Sequence, residues 1–181
     1  MKRLGLAALV GLLGMAVLVY LLNPFDAPTL SPLARLAGVQ LFRVPGGAME
    51  PTIPAGSLVV GCFPARGVKV GRIVLYTEPS TQGRRIDGSV LPGLPSNLLQ
   101  IKRVAALGGS VIEIGEAEIQ LDGRRLEQFV IGPDGAGPPG RFAVPAGSVF
   151  VLGDHLANSR DSRFVGFIPL DHVVGTVCAV L

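Results

Sequence analysis

The sequence predicts a mainly β protein, an antiparallel assembly behind one apolar N-terminal segment, on three observations. The 25 Gly and 15 Pro among 181 residues cut the chain into short pieces, which suits strands joined by turns better than long helices. The pieces between them are rich in Val, Ile, Leu and Phe, the composition of pleated, half-buried runs. Residues 4–22 carry no charge at all.

Met1, Lys2 and Arg3 precede the run LGLAALVGLLGMAVLVYLL, Leu4 to Leu22. As a helix it would rise roughly 28 Å, close to the hydrocarbon thickness of a bilayer. A cleaved signal peptide is the competing reading, but the run exceeds the usual apolar region, and NPFDAPTL after it lacks a small-x-small cleavage site. A single transmembrane helix over 4–22 is therefore predicted. The next positive residue after Arg3 is Arg35, so residues 1–3 are assigned to the cytoplasm and everything from Asn23 onward to the outer face of the cytoplasmic (inner) membrane. Residues 23–40, rich in Pro and Ala, read as a linker, and the extracytoplasmic domain spans 41–181.

Within that domain the runs LFRV, SLVVGCF, RIVLYT, LLQIKRVAAL, SVIEI, EIQLDGRRL, GRFAVP, SVFVLGD and HVVGTVCAVL are each bounded by Gly, Pro or Asp and are predicted as strands. EPSTQGRRIDGSVLPGLPSN and IGPDGAGPPGR are predicted as loops. The net charge of +3 and pI near 9.2 come from scattered Arg residues without a like-charge block or aromatic interleaving, so no nucleic-acid partner is indicated. Cys62 and Cys178 allow one disulfide if they meet in an oxidising compartment, while two separately buried thiols are the commoner arrangement. Two Cys and two His so far apart give no metal site, and nothing calls for a small-molecule cofactor.

Three stretches stand apart: VPGGAMEPTI (44–53), QIKRVAALGGSV (100–111) and VFVLGDHLANSRDSRFVGFIP (149–169). Together, in this order and behind an apolar N-terminus, they resemble type I signal peptidases, membrane-anchored serine proteases that remove signal peptides from exported proteins. The resemblance implies an antiparallel β-sheet catalytic domain of signal-peptidase type that uses a Ser/Lys dyad and has signal peptides of preproteins and membrane lipid as partners. It puts Ala48 at the nucleophile's position, Lys102 as general base and Ser159 as a hydroxyl partner of that lysine. Met49 would pack beside the pair, and Gly153, Asp154, Asp161 and Arg163 would brace the site. The backbone N–H of Ala48 would form half of an oxyanion hole. Gly46 stands where many members have a second donor Ser, Ser57 where Asp is frequent, and His155 where Asn is frequent. Substrate would lie along Val44, Pro45, Gly46, Val59 and Ile101, with small residues preferred at the first and third positions before the scissile bond.

The chemistry fits these roles without the family name. A serine hydroxyl needs a neighbour to take its proton, and a lysine can do so only when neutral. That requires a downward pKa shift of about 2 to 3 units, which burial must supply, and Lys102 sits between Ile101 and Val104 in a strand-like run. Asp161 and Arg163 are expected to pair and hold their loop. His155 and His172 raise a Ser/His alternative, but the strand position of the base is held by Lys102. With Lys102, Ser159, Asp161 and Arg163 all present, a single Ser-to-Ala change in an otherwise competent enzyme fits better than a naturally inactive signal-peptide binder. A specialised pilus or conjugation peptidase of the same family is a further alternative, and a self-cleaving repressor would need a DNA-binding module in place of the apolar segment.

Overall fold

In a computed structural model of the protein, residues 38–78, 83–84, 90–91, 99–133 and 135–181 are described, together with Gly11 and Gly14. The predicted span over 4–22 and almost all of the linker lie outside the described residues. Among the described residues no helix is long and apolar enough to cross a membrane.

The strands are β1 (Val39–Arg43), β2 (Leu58–Cys62), β3 (Ile73–Thr77), β4 (Gly83–Arg84), β5 (Val90–Leu91), β6 (Leu99–Leu107), β7 (Val111–Ile114), β8 (Ile119–Leu121), β9 (Arg124–Arg125), β10 (Gly140–Ala143), β11 (Ser148–Leu152), β12 (Ile168–Pro169) and β13 (Val173–Val180). Seven form one sheet in the order β1-β2-β13-β3-β6-β11-β12, four form a second in the order β10-β7-β8-β9, and β4 pairs with β5. Every pairing between these strands is antiparallel, so the mainly β, antiparallel class read from the turn-bounded runs holds. One four-residue helix, α1 (Ser162–Val165), follows the loop after β11.

The differences from the sequence reading are local and have physical causes. EIQLDGRRL reads as one strand but folds as the β8–β9 hairpin. Asp122 and Gly123 both take positive φ, 49° and 79°, which is the two-residue turn an Asp-Gly pair favours. The Asp122 carboxylate also accepts from the Val111 N–H at 2.7 Å, tying the turn to β7. The predicted loop 78–97 contains β4 and β5, and the loop 131–141 gives its last two residues to β10, where Gly140 and Arg141 pair with Ile114 and Glu113. Strand β1 includes Val39 and Gln40, which the sequence assigns to the linker and which pair with Cys62 and Gly61.

Two apolar clusters hold the sheets together. Ile112, Ile114, Ile119, Phe129, Phe150 and Leu152 belong to the cluster under the smaller sheet. Val74, Tyr76, Val104, Val149, Val151, Ile168 and Val173 cover one face of the larger sheet. Each fully buried side chain of this kind contributes about 1.5–3 kcal/mol against leaving it in water.

Cys62 at the end of β2 and Cys178 in β13 form a disulfide with their Cα atoms 6.0 Å apart. The sequence left this open because a separation of 116 residues says nothing about proximity. Strand pairing supplies it: Thr176 lies opposite Cys62, and the register shift between Val177 and Ala179 sets Cys178 beside the same strand. Closing so long a loop restricts the unfolded chain, and native disulfides in small secreted domains are typically worth about 2–5 kcal/mol. Reduction, or Cys178→Ser, should therefore lower the thermal midpoint markedly, which melts with and without reductant will show. Coincident melts would mean that the bond does not support the fold.

Candidate active site

The turn that carries residue 48 is fixed at its base and at its tip. The Val44 N–H donates to Ser57 O at 2.9 Å and the Gly56 N–H returns to Val44 O at 2.7 Å. Inside the turn the Ile53 N–H donates to Met49 O at 2.9 Å, and the Glu50 carboxylate accepts from the Ala55 N–H at 3.2 Å. Met49 and Ile53 are completely buried and pack with Val44 and Val59, flanked by Phe42, Ile73 and Ile101. This anchors the turn through its apolar neighbours and leaves Ala48 half-buried at the surface. Among the described residues the Ala48 N–H donates to no backbone carbonyl, while its carbonyl accepts from the His155 N–H at 3.1 Å.

Lys102 lies on β6 with Val74 opposite it on β3. On the other side of β6, Val151 faces Val104 and Leu152 faces Arg103. One step further along that register brings Gly153 opposite Lys102, and residues opposite one another in a sheet point to the same face. A Cβ placed on Gly153 would collide with the Ser159 hydroxyl and lie 2.6 Å from Ala48 O. The face that receives the Lys102 side chain is therefore the one on which Ser159 and residue 48 meet, and only glycine leaves room between them. Lys102 is 4% exposed and shares this face with Val74, Val104 and Val151. Burial lowers its pKa from the usual 10.5, the Asp161 and Glu78 carboxylates act in the opposite direction, and Arg163 adds to the lowering. Ser159 Oγ is buried and has no hydrogen-bond partner among the described residues, so it makes no hydrogen bond to Lys102 in this structure.

The loop after β11 is held by a buried ion pair. Asp161 accepts from Arg163 Nε at 2.8 Å and Nη2 at 2.9 Å, and Arg163 also donates to the carbonyls of Ala136, Leu156 and Ser159. Asp161 further accepts from the Gly153 N–H at 3.0 Å, which ties the loop to the end of β11, and Ser162 Oγ accepts from the Val151 N–H at 2.9 Å. A buried pair so fully hydrogen-bonded fixes geometry; removing one member typically costs about 3–5 kcal/mol because it strands the other. The expected pairing of Asp161 with Arg163 is present.

On the opposite face of β6, Arg103 donates from Nε to Asp154 at 2.7 Å, from Nη1 to Gly71 O at 2.7 Å and from Nη2 to Thr52 at 3.3 Å. Asp154 is fully buried, so its place is as the acceptor that joins β11 to the turn of residue 48. The sequence reading named Asp154 without Arg103, although a charged residue next to Lys102 in an alternating strand must face the other way.

Val44 and Val59, read from the sequence as a substrate wall, are 5% and 0% exposed and stand behind the surface, whereas Pro45 and Gly46 are exposed. A cavity of about 240 Å³ lined by Glu50, Pro51, Val130 and His155 opens next to residue 48. The two histidines are separated: His155 reaches residue 48 through its backbone, and His172 Nδ1 lies 3.1 Å from Thr77 O.

With this geometry in view, the family described as signal peptidase, peptidase S26, matches residues 6–181, and the chain belongs to it. It is similar to a probable signal peptidase I-1 of Synechocystis sp., 30% identical over 136 residues that cover 73% of this chain and 65% of that protein. It is also similar to the chloroplastic thylakoidal processing peptidase 1 of Arabidopsis thaliana, 32% identical over 155 residues covering 83% of this chain and 44% of that protein. The chain thus spans between 44% and 65% of the length of these two relatives. A crystal structure of a signal peptidase I from Enterococcus faecalis V583 matches with a TM-score of 0.46 and 20% identity, over 62% of this chain and 97% of that one.

The burial of Lys102 makes a prediction about stability. A lysine with a lowered pKa in the folded state binds fewer protons there than when unfolded, so its contribution to stability rises with pH between the folded value and 10.5. Lys102→Met should therefore raise stability at pH 7, and the gain should shrink as the pH approaches 10. Denaturant unfolding of both proteins across pH measures this. A gain that is flat in pH would show that the amine is not desolvated.

Proposed function

We propose that the chain is a membrane-anchored endopeptidase of Ser/Lys type that cuts signal peptides from exported preproteins, here in a form where Ala48 replaces the nucleophilic serine. The observation that supports this reading is that residue 48 and the orphaned Ser159 hydroxyl both lie against Gly153, on the face of β6 to which the buried Lys102 belongs. With a hydroxyl at position 48, neutral Lys102 Nζ takes its proton as the oxygen attacks the scissile carbonyl. The Ala48 N–H, free of any backbone acceptor among the described residues, receives the developing oxyanion. Collapse expels the amine of the mature protein, which takes the proton from Lys102, and the Lys102 amine, neutral again, then deprotonates the water that releases the signal peptide from the acyl ester. Ser159 orients the lysine, and Asp161 with Arg163 and Asp154 with Arg103 hold the loop and turn that present these groups. The cleaved peptide lies extended beside Pro45 and Gly46.

The apolar run at 4–22 anchors the enzyme in the inner membrane with its catalytic domain on the outer face, and the disulfide suits that oxidising side. Ala48 taken literally favours a second reading, a tethered signal-peptide binder without turnover.

The two readings part on one experiment. The Ala48 chain should bind a preprotein with small residues before its cleavage point and leave it intact, while Ala48→Ser should process it, with activity rising toward alkaline pH as Lys102 loses its proton. In the Ala48→Ser protein, Lys102→Ala and Lys102→Arg should each lose at least about 10²-fold in kcat/KM. Robust processing by the Ala48 chain, or none by a folded Ala48→Ser protein that binds substrate, would overturn the assignment.

A further inference from the structure

On the face of the larger sheet that carries Lys102 lies a group of buried polar side chains to which the mechanism above gives no role. Glu78 directly follows β3 and is 5% exposed, an uncommon place for a carboxylate. Its Oε2 meets Arg160 Nη2 at a long 3.4 Å, and its Oε1 is buried without a hydrogen-bond partner. Tyr76, two residues earlier, is completely buried and its hydroxyl is also unpartnered. Alternation along a strand puts residues 74, 76 and 78 on one face, and Val74 faces Lys102, so this group sits on the face that carries the base. Arg160 approaches it from the loop between Ser159 and Asp161. The carboxylate is thus desolvated and held by one long contact to a cation that is itself a third exposed, so its charge is only partly neutralised.

We propose that Glu78, partly neutralised by Arg160, is a positioning residue for the base: its buried negative charge holds the proton on Lys102 and so sets the pH at which the site switches on. The proposal rests on Lys102 being the base. The field of Glu78 reaches both neighbours, favouring the charged form of Lys102 and, together with burial, disfavouring ionisation of the Tyr76 phenol. Arg160 opposes it at Tyr76.

The other charged groups around Lys102 are accounted for. Asp161 and Arg163 come from the loop and pair through two direct contacts, with Asp161 favouring the charged amine and Arg163 opposing it. Arg103 on β6 faces away and is bound to Asp154. Glu50 is engaged with the Ala55 N–H in its own turn, and His172 bonds at Thr77, one residue before Glu78. Strand β11 brings Val149 and Val151 to this face and no charge. Glu78 thus acts on the amine in the same sense as Asp161, and among the described residues its one ion pair is the long contact to Arg160.

The two halves of the pair should move the site in opposite directions, which a merely structural ion pair cannot do. In the Ala48→Ser protein, Glu78→Gln removes the negative charge and should shift the acid limb of the kcat/KM profile to lower pH by roughly half a unit or more. Arg160→Gln leaves Glu78 unopposed and should shift it to higher pH by a similar amount, at a partly exposed position that tolerates the change. The double variant should fall between them, and the alkaline plateau should stay within several-fold of the parent in all three. Limbs that coincide with the parent's, or that move the same way in both single variants, would overturn the proposal while leaving Lys102 as the base. If Glu78→Gln does not fold, an Arg160→Gln limb that is unmoved or moves to lower pH is sufficient to reject it. A parent that processes nothing at any pH overturns the Ser/Lys reading and this proposal with it.

Discussion

The structure depends on keeping one amine out of water. Lys102 stands in the middle of β6, where the strands on either side offer it valine and not solvent. An ammonium in such a place is disfavoured, so the group is driven toward its neutral form, and a neutral amine is a base. The place of β6 inside the larger sheet and the packing of Val74, Val104 and Val151 both serve this condition. If that face were wet, the residues around position 48 would be a turn with no chemistry.

The strand performs two tasks because its side chains alternate. Lys102 goes to the face where Ser159 and residue 48 meet, and Arg103 goes to the other, where it binds Asp154, Gly71 O and Thr52. The same strand thus turns a buried lysine to one face and, from the other, pins the turn that carries residue 48. The Asp161–Arg163 pair does the equivalent for the loop, taking the Gly153 N–H and three carbonyls into one buried network. Gly153 lies where these arrangements touch, and the clash that a Cβ there would make with Ser159 shows how little space separates them.

Much of this was legible before any fold was known. The strands are short, β-branched and cut by Gly, Pro and Asp, so the class followed from local chemistry, and the Asp122–Gly123 hairpin was missed only because its flanking runs were read as continuous. The candidate site residues came from three spaced stretches that resemble a family pattern, and of these Ala48 and Ser159 both lie against Gly153. What stayed hidden depends on pairing between strands distant in sequence. Cys62 and Cys178 meet because β13 returns to lie beside β2. Glu78 comes to the face of Lys102 because β3 pairs with β6, although in the sequence it opens a stretch of loop residues. Val44 and Val59 were assigned to a substrate wall from motif position, which does not say whether a side chain faces outward or into the packing under the turn.

The most direct test is to titrate the Lys102 amine itself in the Ala48 chain, where no turnover disturbs it, by following its side-chain resonance across pH with Lys102→Met identifying the signal. The account predicts a midpoint well below 10.5, set first by burial. A midpoint at the ordinary lysine value would contradict it, because an amine that stays charged on this face cannot be the base on which the rest of the arrangement depends.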